Sequence, residues 1–114
     1  MRVFYHHLYE FKKGLRNLIL HTTKSSNQEL IERNLKKKNI PYIIYNVSRD
    51  KINVFFGNKH CIEVIKQIGK SNLKNYTDEE DFILGIMLGY DRVEQCKRYM
   101  KRKIDTGAVD ELVG

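Results

Sequence analysis

The sequence predicts an α/β protein of the α+β kind: a three-stranded mixed sheet with a β-hairpin, packed by about five helices that include a C-terminal helical pair. Three features lead there. Short runs rich in β-branched and aromatic residues occur at 18–22, 42–47 and 52–56. Longer stretches between them carry apolar residues at helical spacing. Capping residues, glycines and a single proline mark where the elements change.

The elements follow in order. Residues 5–13 form a short helix that Gly14 ends. Leu18, Ile19, Leu20, His21 and Thr22 read as a buried strand. Ser26 and Glu29 make an S-x-x-E capping box that opens a helix through Lys38, with Leu30, Ile31 and Leu35 on its apolar side and Pro41 forbidding continuation. Residues 42–47 and 52–56, separated by Ser48, Arg49, Asp50 and Lys51, form a hairpin. Asn58 caps the next helix, whose inner face is Cys61, Ile62, Ile65 and Ile68 up to Gly69. Thr77 and Glu80 form a second capping box ahead of a buried stripe of Phe82, Ile83, Ile86 and Met87. Gly89 ends that helix. Asp91 and Glu94 open another, with Val93, Cys96 and Met100 inward. A strand–helix–strand step favours a right-handed crossover, to which the hairpin adds an antiparallel strand. Residues 1–104 are expected to form one domain, with a flexible tail over 105–114.

At 114 residues the chain has room for one domain, and its 41% hydrophobic content argues against wholesale disorder. The longest nearly apolar run, residues 82–90, falls far short of the ~20 needed to span a bilayer. No secretory leader is evident, so a cytoplasmic location with reduced thiols at Cys61 and Cys96 is expected. The 21 Lys and Arg exceed the 14 Asp and Glu, for a net charge of +7. That excess points to an acidic partner.

No residue pattern announces catalysis, so no catalytic residue, cofactor or metal is assigned. There is no G-x-S-x-G, no phosphate-cradling glycine loop and no zinc-ligand spacing. His6 and His7 are adjacent and point about 100° apart on a helix, which suits an interaction surface better than chelation. Gly85 and Gly89 place two small residues four apart, where intramolecular packing or a second copy of the chain can approach closely. Residues 77–103 have the outline of a helix-turn-helix whose second helix carries Arg92, Lys97, Arg98, Lys101, Arg102 and Lys103. Asp91 and Glu94 stand where base contacts would be made, so at most weak, non-specific nucleic-acid binding is expected.

Two blocks carry a resemblance. The opening Arg2-Val3-Phe4-Tyr5-His6-His7-Leu8-Tyr9-Glu10-Phe11-Lys12-Lys13-Gly14-Leu15-Arg16-Asn17-Leu18 is one. The other is Glu80-Asp81-Phe82-Ile83-Leu84-Gly85-Ile86-Met87-Leu88-Gly89-Tyr90-Asp91, followed by Gln95-Cys96 and Arg98-Tyr99. Over nearly its whole length the chain resembles the bacterial domain-of-unknown-function family numbered two thousand and twenty-three. The resemblance implies three strands and five helices, a possible homodimer, and genes that often lie near flavodoxin genes. It brings no catalytic residues. The resulting expectation is a non-catalytic module that docks an acidic cytoplasmic protein, with flavodoxin as the candidate. Its basic surface would be Lys97, Arg98, Lys101 and Arg102, joined by Lys36, Lys37 and Lys38, and Tyr5 and Tyr90 would supply an apolar centre. The alternatives are a nucleic-acid module using the basic C-terminal helix, or an enzyme of unrecognised type.

Overall fold

A computed structural model of the chain describes residues 1–105. The elements run α1 (Arg2–Lys12), β1 (Leu18–Lys24), α2 (Gln28–Lys37), β2 (Tyr42–Asn46), β3 (Lys51–Gly57), α3 (Lys59–Ile68), α4 (Asp78–Met87) and α5 (Arg92–Asp105). Contacts group them into two units, Met1–Asn72 and Leu73–Gly114. Of the tail expected over 105–114, only Asp105 lies within the described residues, as the last residue of α5.

The first unit holds the sheet. Five helices, three strands and the hairpin agree with the sequence, but the sheet is antiparallel throughout rather than mixed. Its order is β1-β3-β2. β3 lies between the other two, pairing Ile19 with Phe56 on one side and Ile44 with Val54 on the other. β1 and β2 do run in the same direction, as a crossover requires, but they never touch as neighbours. The residues themselves explain why β3 takes the centre. Every residue from Ile52 to Gly57 is buried, as in a strand covered on both faces. Asn53, the polar residue in this run, is also buried, and its Oδ1 accepts a hydrogen bond from the Thr22 hydroxyl of β1.

Ile52, Val54 and Phe56 project from one face of β3 into a core completed by Phe4 and Leu8 of α1, Ile19 of β1, and Ile31 and Leu35 of α2. Seven of these eight, all but Leu8, are wholly inaccessible to solvent. Each large aliphatic or aromatic side chain so buried contributes about 1.5–3 kcal/mol. Phe56 meets the ring edges of Phe4 and Phe11, which fixes α1 over the sheet. α3 packs on β2 and β3 and brings in Ile62 and Ile65. Gly57 ends β3 with φ of 147°, and a side chain there would collide with the Asn17 carbonyl, so only glycine lets β1 and β3 begin and end together.

The hairpin loop sits one residue earlier than expected, with Val47 N–H bonded to Lys51 O at 2.9 Å. The Ser26–Glu29 capping box does not form. Instead Ser25–Asn27 make a 3-10 turn, and Asn27 Nδ2 donates back to Thr23 Oγ1 at 2.8 Å. This draws Ser26 into the turn and leaves Asn27 to cap α2 without a side-chain bond. Asn58 does cap α3, accepting from His60 N–H at 2.8 Å.

In the second unit, Thr77 and Glu80 form the expected reciprocal capping box on α4, and Asp91 Oδ1 accepts from Glu94 N–H at the start of α5. The buried face of α4 differs from expectation. Leu84, Gly85 and the following Leu88 are buried, whereas Phe82, Ile86 and Met87 are half-buried and Ile83 is exposed. Likewise Val93, Cys96 and Met100 of α5 are exposed, and Gln95 is the buried residue. The physical reason is the ionic contact between the two helices, described next.

Candidate functional site

α4 opens with four acidic residues, Asp78 to Asp81, in its first turn. One or two would satisfy the helix dipole. The rest face the cations of α5. Arg98 grips Asp81 with two bonds, Nε to Oδ2 at 2.8 Å and Nη2 to Oδ1 at 3.0 Å. Arg102 reaches Asp78 Oδ1 from Nε at 2.9 Å and Asp81 Oδ1 from Nη1 at 2.8 Å. Lys103 Nζ stands 2.7 Å from Glu79 Oε2, which also accepts the Tyr99 hydroxyl at 2.7 Å. Arg98 and Arg102 lie one turn apart on one helical face, and Lys103 follows directly after Arg102. Lys103 and Tyr99 together hold the Glu79 carboxyl down at about 2. Arg98, followed by Arg102, lowers Asp81 against the opposing effect of its burial.

Of the basic residues expected on a docking surface, Arg98 and Arg102 are therefore occupied within their own unit. Lys97 lies 3.3 Å from Glu94 on its own helix, and Lys101 is exposed. Because the polar face of α5 turns toward α4, its apolar residues turn outward. Of these, Cys96 and Met100 line a groove of about 470 Å³ with Glu79, Phe82, Ile83 and Tyr99. Gly85 is spent inside the unit as well: a Cβ there would overlap the Gln95 side chain. Gly89, at φ of 84°, makes the left-handed turn out of α4 and is open to solvent, as is Tyr90.

The excess positive charge belongs to the other unit. Residues 1–72 hold 14 of the 21 Lys and Arg and 5 of the 14 acidic residues, a net +9, whereas residues 73–114 carry a net −2. On α1, Arg2, Tyr5, Tyr9, Lys12 and Lys13 recur at spacings of three and four and are all exposed. Tyr5 is 45% and Tyr9 55% accessible, and Lys13 Nζ sits 5.6 Å from the centre of the Tyr9 ring. Lys36 and Lys37 are exposed at the end of α2, with Lys38 half-buried. The residue-by-residue reading found Tyr5 but missed its basic neighbours on α1, although their spacing was visible.

The histidines disperse. His6 is exposed, 3.7 Å from Glu10, and His60 is exposed on α3. His7 Nδ1 is buried without a hydrogen bond, 3.5 Å from Glu10 Oε1. Its ring meets that of His21 edge-on at 5.5 Å. His21 is 8% exposed, and burial first, then His7, lowers its pKa. Among the described residues no three His, Cys, Asp or Glu side chains come together to hold a metal ion. Cys61 is half-buried, its thiol pKa pushed up by burial; Cys96 is exposed, against the expectation that both lie on inner faces. No helix among the described residues is long and apolar enough to cross a membrane.

Comparison with curated proteins returns no match. A family model, described as a protein of unknown function, does match, and it covers residues 2–102, both units of the chain. The chain belongs to that family, DUF2023.

Proposed function

We propose that this protein is a non-catalytic interaction module that docks an acidic protein through its first unit, and that a flavodoxin is that partner. One observation carries the reading: a net +9 concentrated in residues 1–72, with two exposed tyrosines set among cations on α1. Cations at a rim speed encounter and orient an acidic partner, while tyrosine supplies contact area at little cost in conformational entropy. The flavodoxin assignment comes from the gene company that the family resemblance implies, and flavodoxins are acidic. This shifts the docking surface expected from sequence. Lys36, Lys37 and Lys38 stay in it, whereas Arg98 and Arg102 serve the second unit.

Calorimetric titration of flavodoxin into the protein at low and high salt tests the proposal. Binding that weakens as salt screens the charges is the expected result. No heat at low salt, with both proteins folded, overturns it. The α1 stripe also offers the cations and aromatic faces on which single-stranded nucleic acid stacks. A tighter complex with an oligonucleotide than with flavodoxin would favour that second reading.

A further inference from the structure

We infer that the first unit carries a binding site for the phosphate group of a small phosphomonoester, at the N-terminus of α1 beside His21. A cavity of about 280 Å³ is lined there by Met1, Arg2, Val3, Phe4, His21 and Thr23. None of these is acidic. Four kinds of donor line it. Tyr5 N–H is the first in α1 to find a helical carbonyl, Met1 O at 3.1 Å, so the N–H groups of Val3 and Phe4 before it lack one. Met1, the N-cap residue, makes no side-chain bond to them. Such N–H groups, with the positive end of the helix dipole, favour an anion. Arg2 is exposed and has no carboxylate within 4.0 Å among the described residues. Thr23 Oγ1 already accepts from Asn27, which leaves its own proton free to donate.

The independent sign of a ligand is His21. It is more than nine-tenths buried, lines the cavity, and its ring makes no hydrogen bond among the described residues. With no protein partner, the imidazole leaves its ring nitrogens to whatever fills the cavity before them. Its neighbours are the His7 ring and the Phe4 ring, 5.5 and 5.9 Å away, and neither accepts a hydrogen bond from it. A guanidinium fork, an imidazole N–H, a hydroxyl and two backbone N–H groups exceed what the two coplanar oxygens of a carboxylate can satisfy. A tetrahedral phosphate presents more. Val3 and Phe4 leave an apolar wall for the organic part of the molecule.

The site is tested without any protein partner, so its result is separate from that of the docking proposal. Glycerol 3-phosphate, inorganic phosphate, acetate and chloride are titrated at matched ionic strength into isotopically labelled protein. Amide signals of Val3 and Phe4 and the imidazole signals of His21 report binding. Glycerol 3-phosphate is expected to give saturable shifts at all three, to bind more tightly than inorganic phosphate, and to raise the His21 pKa. Acetate should behave as chloride does. Arg2→Gln and Thr23→Val, neither in the core, should each weaken binding by roughly tenfold while the spectrum stays dispersed. The assignment is overturned if the ester gives no saturable shift beyond chloride, if acetate matches it, if inorganic phosphate binds more tightly, or if both variants bind as the parent does.

Discussion

Arg98 of α5 holds Asp81 of α4 in a two-pronged ion pair across the helical hairpin, with both guanidinium–carboxylate contacts at or below 3.0 Å. The partners are unevenly exposed, 56% for the arginine side chain and 18% for the aspartate. Solvent screening therefore limits the pair to about 0.5–1 kcal/mol. A double-mutant cycle with Arg98→Ala and Asp81→Ala, followed by urea denaturation, should return a coupling of that size. A coupling indistinguishable from zero would show that the contact does not stabilise the hairpin.

Acid should weaken both units, in separate pH windows. His21 has a lowered pKa in the folded chain, so the unfolded chain binds its proton first as pH falls. The stability tied to neutral His21 is complete above its ordinary value of about 6.5 and is lost as pH falls through the folded value. Glu79 and Asp81 are also lowered, Glu79 to about 2. What they contribute is complete above the unfolded carboxyl range of about 4 and is lost as pH falls through their folded values, for Glu79 about 2. Denaturation midpoints across the acid range should thus fall in two stages. His21→Gln should remove the first, and raised salt should shrink the second because Glu79 is exposed.

Gly85 should tolerate no side chain while Gln95 occupies the space above it. Gly85→Ala gains helix propensity but forces the glutamine aside, for a net loss of about 1–3 kcal/mol. Gln95→Ala should restore much of that loss in the double variant. A Gly85→Ala protein as stable as the parent would mean that the glutamine moves freely.

The sequence was most legible where the causes are local. The hairpin expected over residues 42–56, the Asn58 cap and the Thr77–Glu80 box depend on residues within a few positions of one another; the two caps form as expected and the hairpin forms with its loop one residue earlier. Strand order was not legible, because placing β3 between β1 and β2 depends on pairings such as Leu20 with Phe55, far apart in the chain. The nearly apolar run Ile52-Asn53-Val54-Phe55-Phe56, which suits a strand covered on both faces, was the available clue. The inner face of α5 was not legible from apolar spacing, because Val93, Cys96 and Met100 turn outward. Four acids in the first turn of α4, set against Arg98, Arg102 and Lys103, signalled an ionic contact instead. The +7 net charge likewise concealed its division into +9 and −2.

That division is the central claim, and charge reversal in each unit tests it most directly. Lys12→Glu with Lys13→Glu alters the α1 stripe, and Lys97→Glu with Lys101→Glu alters α5; all four positions are exposed. Each variant is titrated with flavodoxin at low salt beside the parent protein. The α1 pair should weaken binding by tenfold or more, about 1.4 kcal/mol, and the α5 pair by much less. Equal binding by the α1 variant and the parent, with the loss confined to the α5 variant, would contradict the account.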